Sequence, residues 1–112
     1  MTLDDLEQEE IEQHKDMIKD LERYIAVSIT NQYVISLQSL AQKAKERVKY
    51  SKEYIAQRLD EIKRDLFNMY APQFEILNQE TIYAGISGGK FYEFVDSLEK
   101  RMTALEKVYG CR

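Results

Sequence analysis

Four places in this 112-residue chain hold residue types that could do chemistry. The run Gly85-Ile86-Ser87-Gly88-Gly89-Lys90 has the glycines and lysine of a phosphate-cradling loop, where backbone amides and an ammonium would hold a nucleotide. Two positions break that pattern. Ala84 stands where the first glycine belongs, and Phe91 replaces the Ser or Thr that would hold magnesium. The run therefore reads as a flexible loop leading into a helix start. His14 falls on the inward stripe of a helix, where a lone imidazole packs and hydrogen-bonds rather than catalyses. One histidine and one cysteine do not make a single-chain zinc site, so no metal and no cofactor is expected. Cys111 lies next to the last residue with no adjacent base, and is expected to be an exposed, inert thiol.

The fourth place is the segment 43–52, with five basic residues and one acidic, followed by Tyr54. Basic side chains on phosphates and tyrosines under bases would be a nucleic-acid surface. Sixteen basic against twenty acidic residues give a net charge of −4, which argues against a general nucleic-acid binder. The charge is also segregated: residues 1–22 hold nine acids and two bases, and residues 43–64 hold eight bases and four acids. An acidic first helix folded against the basic segment would neutralise it.

The elements that position these residues follow from periodicity. Hydrophobic residues make up 44% and charged ones 32%, too apolar and periodic for a disordered tail and too charged for a membrane protein. Residues 1–71 contain neither glycine nor proline. Thr2 begins a capping box, and Ile11, His14, Ile18, Leu21 and Ile25 recur at helical spacing. Val34, Leu37, Ala41, Ala44 and Val48, then Ile55, Leu59, Ile62 and Leu66, form a second stripe that Pro72 ends.

The predicted fold is all-α and a single domain over residues 1–112. A long antiparallel hairpin joins helices over about 3–28 and 33–70, turning at Asn31. A short helix over 73–78, a glycine-containing loop and a terminal amphipathic helix over 90–109 follow. A β-hairpin over 27–37 is the local competitor, since that stretch alternates with period two, but Asn31-Gln32 is a poor hairpin turn. Folding back at Asn31 pairs Ile25 with Leu37 and Leu21 with Ala41, and brings Glu9 towards Lys52 and Glu12 towards Lys49.

Tyr24 to Gln42 is charge-free for nineteen residues, eight of them Ser, Thr, Asn or Gln, too polar for a membrane span. Charge depletion with aromatic and aliphatic residues present is the composition of an interface core. Tyr24, Ile29, Tyr33, Ile35 and Leu40 lie off the hairpin seam and need cover, as do Phe67 and Tyr70 beyond the reach of the first helix. These seven are the candidate partner-binding residues. The expected function is a non-enzymatic, oligomeric component of a larger assembly, a virion being one example. The alternative is a small regulator that inhibits or escorts one protein target. The acidic start Met1-Thr2-Leu3-Asp4-Asp5 is unlike a secretory signal, and the lone cysteine suits a reducing compartment. The chain is therefore expected to be intracellular or part of an assembled particle.

Overall fold

The structure, a computed structural model, describes residues 3–46, 50–86 and 88–111, with side chains from Glu7 onward. Every regular element among the described residues is an α-helix, in keeping with the all-α expectation. In chain order they are α1 (Leu3–Glu46), α2 (Lys52–Met69), α3 (Ala71–Tyr83) and α4 (Gly88–Val108). The proposed Thr2 cap lies outside the described residues.

Helix α1 does not turn at Asn31. It runs straight through the charge-free stretch, and its 44 residues set the 69 Å long axis of the molecule. The physical reason lies in the spacing of its buried residues. Ile25, Ile29, Tyr33 and Leu37 follow one another at four-residue steps and Leu40 comes three later, so they all fall on one face of one helix. Residues expected to face each other across a hairpin stand in line instead. Nothing local breaks the helix, since there is no glycine or proline to do so.

The hairpin exists, with its turn displaced. The chain reverses between Glu46 and Lys52, where Ser51 caps α2 by accepting from the Tyr54 backbone N–H at 3.1 Å. Helix α2 then returns along α1, with Tyr54 near Lys43 and Ile62 near Ile35. Pro72 acts as expected and ends α2 before it. Tyr70 closes α2 through its N–H to the Leu66 carbonyl and opens α3 by accepting from the Phe74 N–H, each at 3.0 Å. Helices α2 and α3 thus form one kinked return leg. The segment 79–83, expected to be loop, belongs to α3, because Leu77, Thr81 and Ala84 extend its buried face by another turn. The terminal helix likewise starts at Gly88 rather than residue 90.

Helix α4 completes the bundle within the same chain. It runs antiparallel to the return leg: Phe94 meets Phe74 at 6.4 Å, and Glu106 meets Lys63 at 2.9 Å. Beyond its end, Cys111 Sγ lies 3.7 Å from the Leu37 carbonyl. Helices α3 and α4 both stop on glycines in the left-handed region, Gly85 (φ 72°) and Gly110 (φ 74°). Ile86 N–H reaches back to the Thr81 carbonyl and Cys111 N–H to the Glu106 carbonyl, each closing its helix with a six-to-one hydrogen bond. The buried apolar side chains form one cluster along all three legs. The result is a rod of 69 × 20 × 18 Å, with a radius of gyration of 18.4 Å. A compact domain of this length would have about 13 Å.

Candidate functional site

The seven candidate partner-binding residues divide sharply. Ile29 and Tyr33 are 0% exposed and Leu40 is 6% exposed, so they belong to the interior of this chain. Their cover comes from the return leg and α4, which corrects the expectation that another subunit supplies it. Phe67 and Tyr70 are half-buried against the same core, and Phe67 lies 5.5 Å from the Phe74 ring. Tyr24 (55% exposed) and Ile35 (61%) alone face outward.

These two do not stand by themselves. Met17 (58%) and Val27 (50%) are exposed on the same helix. At 100° per residue, positions 17, 24, 31 and 35 fall within about 40° of one another, with 27 at their edge. The outer face of α1 therefore carries an apolar stripe opposite its core stripe. Met17 and Val27 were missed because Met17 lies outside the charge-free stretch and Val27 reads with the alternating residues 27–37. A helical wheel drawn over one uninterrupted helix separates the two stripes at once. Charge avoids the middle of this face: no Asp, Glu, Lys or Arg lies between Tyr24 and Gln42.

At the basic end the stripe borders a groove of about 320 Å³ between α1 and α2. Ile35, Ser39 and Lys43 line one wall and Tyr54 and Arg58 the other. Tyr50 stacks on Tyr54 with ring centroids 4.6 Å apart, and Arg58 is held by Glu61 at 2.9 Å. At the acidic end α1 is fastened to α3. His14 Nδ1 lies 2.8 Å from Glu80 Oε2, its ring packs 4.6 Å from that of Tyr83, and the Tyr83 hydroxyl donates to Glu10 at 3.4 Å. His14 is thus packed and hydrogen-bonded as expected, with a carboxylate of α3 as the partner. Burial pushes the Glu22 carboxyl above its ordinary value, with Lys19 opposing the shift.

Of the other features, Cys111 is buried rather than exposed, because the turn at Gly110 aims it at Leu37. Burial, and then the nearby Glu106 carboxylate, push its thiol pKa up, so it is a poor nucleophile. The Gly88–Lys90 part of the glycine run forms the first turn of α4. Among the described residues, no three His, Cys, Asp or Glu side chains gather to hold a metal, and no helix is long and apolar enough to cross a membrane.

The acidic first helix does not neutralise the basic segment. Because α1 is continuous, Asp16 and Lys45 are about 44 Å apart along it. What can be done chemically at this face is recognition by apolar contact, bracketed by charge of one sign at each end. No protein family matches the chain, and neither does any curated protein or any solved structure.

Proposed function

We propose that this chain is a non-enzymatic helical interaction protein, a subunit that docks on other subunits of an assembly through the outer face of α1. One observation carries the reading. The core is covered by the chain's own three legs, yet Met17, Tyr24, Val27 and Ile35 stay exposed on the outer face of α1, the last three within its charge-free stretch. Scattered exposed apolar residues are ordinary, whereas an aligned stripe depleted of charge along its middle has the composition of a contact surface.

A second reading, a small regulator of one basic target, is favoured by the acidic end. Residues 7–23 of α1 hold seven acids against three bases, beside exposed Ile76 and Ile82 of α3. Such a field steers a positively charged partner towards an apolar patch.

The test is a pair of lysine substitutions on α1. Ile35→Lys should leave helicity and melting temperature unchanged while abolishing association, measured as complex mass by light scattering with and without extract from the native source. Tyr33→Lys should unfold the chain, because a charge placed at a fully buried site costs several kcal/mol. If Ile35→Lys left every complex intact, the face would not be an interface.

A further inference from the structure

The outer stripe of α1 is self-complementary. Residues 7–20 of α1 hold six acids and two bases, and residues 39–46 hold Lys43 and Lys45 against Glu46, with the charge-free stretch between them. Within one chain these ends cannot meet, because α1 is a straight helix between them. At the acidic end the return leg adds no base, since α3 contributes Glu75 and Glu80 there.

We propose that two copies of this chain pair through their α1 helices, antiparallel about a two-fold axis near residue 30. The inference rests on the reading of this face as an interface, and adds the partner, the direction and the register. In that pairing the facing residue numbers sum to about 60. Tyr24 of each copy meets Ile35 of the other, and Met17 meets Gln42. Asp16 meets Lys45, both exposed and on the same side of the stripe. Each contact occurs twice, as a two-fold interface requires.

Direction follows from charge. Antiparallel pairing places the acidic third of each α1 on the end of the other that carries Lys43 and Lys45. Parallel pairing in register stacks acid on acid and base on base. The groove between α1 and α2 supports the same geometry. Its cationic lip, Lys43 and Arg58, lies beside Ile35, where the acidic half of the other copy's α1 would pass. A highly acidic or basic occupant would satisfy one end of the stripe and oppose the other, whereas a second copy satisfies both.

The experiment uses the full chain and substitutions at exposed positions. Light scattering at low salt and rising concentration should show the mass moving from 13.3 kDa towards twice that value. Salt should reverse it, because screening shortens to about 3 Å at 1 M. Asp16→Lys and Lys45→Glu should each weaken the dimer by about tenfold, by setting like charges opposite one another. Combining both in one chain inverts each pair and should restore wild-type pairing. Disulfide formation on mixing Tyr24→Cys with Ile35→Cys chains should exceed that of either alone. A monomer at every concentration would overturn self-pairing, as would a charge-swapped double variant no better than the singles. Faster disulfide formation by Tyr24→Cys alone would overturn the antiparallel direction. Should the chain be monomeric alone and still lose a heterologous complex on Ile35→Lys, the face remains an interface and only the self-pairing fails.

Discussion

Asn31 separates a straight first helix from one that folds back, and proline at that position tests the difference. Asn31 is exposed, so its replacement removes no packing. In a continuous helix, proline removes the Asn31 N–H that bonds the Val27 carbonyl, and its ring collides with that carbonyl, at about 3 kcal/mol or more. That figure is a floor here. Helix α1 contributes six of the thirteen buried apolar residues among those described, on both sides of Asn31, so a kink also pulls one arm off the core. Domains of this size have about 5–15 kcal/mol of stability in total. Asn31→Pro should therefore lower the urea midpoint by about 1–3 M, given slopes of about 1–3 kcal/mol per molar. Asn31→Ala supplies a control of opposite sign, since alanine is the better helix former by about 0.5 kcal/mol at an exposed site. Urea titrations followed by circular dichroism give both values. Loss of under about 1 kcal/mol for proline, with no gain for alanine, would mean that the helix breaks at Asn31.

Three more substitutions probe how the rod is held together. Lys63→Met removes the ammonium 2.9 Å from the Glu106 carboxylate, which is 0% exposed. It should cost about 3 kcal/mol, the low end for a broken buried pair because Lys63 is partly exposed, while Lys63→Met with Glu106→Leu should recover most of the loss in thermal melts. Gly110→Ala should cost about 1 kcal/mol through the backbone alone, because φ is 74° and nothing lies within 4 Å of the added methyl; a smaller loss would mean the turn relaxes. Glu22→Gln should raise the melting temperature at pH 7. The folded chain holds the Glu22 proton to higher pH than the unfolded chain, so the wild type loses stability as pH rises from the unfolded value near 4.5 through the folded one. Below that window the two proteins should melt alike, and equal melting at pH 7 would remove the burial penalty from the account.

Much of the fold is written in local pattern, and the parts that were not have identifiable causes. Pro72 and Gly110 act through their own backbones, so their effects are legible one residue at a time. The seam of α4 likewise needs no partner to be read, and Leu98 and Met102 are buried where it places them. The turn was misplaced because it has neither glycine nor proline. Its one local mark is Ser51, which becomes a cap only once the helix has ended before it. The shift of the apolar stripe between Val48 and Ile55 carries the same information. It reads as ordinary helical drift unless the reversal is already known. At the candidate site, Tyr24 and Ile35 were legible as uncovered, whereas Ile29, Tyr33 and Leu40 were not separable from them. Which side of a helix is core depends on where the return leg lies, and that was set by the displaced turn.

That displacement also changes what the charge pattern means. An acidic third, a neutral middle and a basic third satisfy themselves in antiparallel arrangement about the middle, whether the two arms belong to one chain or two. The backfolded hairpin would have paired residues summing to about 62 around Asn31, bringing Glu9 to Lys52 within the chain. A straight α1 leaves the apolar arms in line along one core and carries the charges about 44 Å apart. Their complementarity then has no outlet within α1, and antiparallel pairing of two rods around residue 30 restores nearly the same register between molecules. The core has already consumed the inner stripe, so this pairing must use the outer one. Met17, Tyr24, Val27 and Ile35 stand on that stripe.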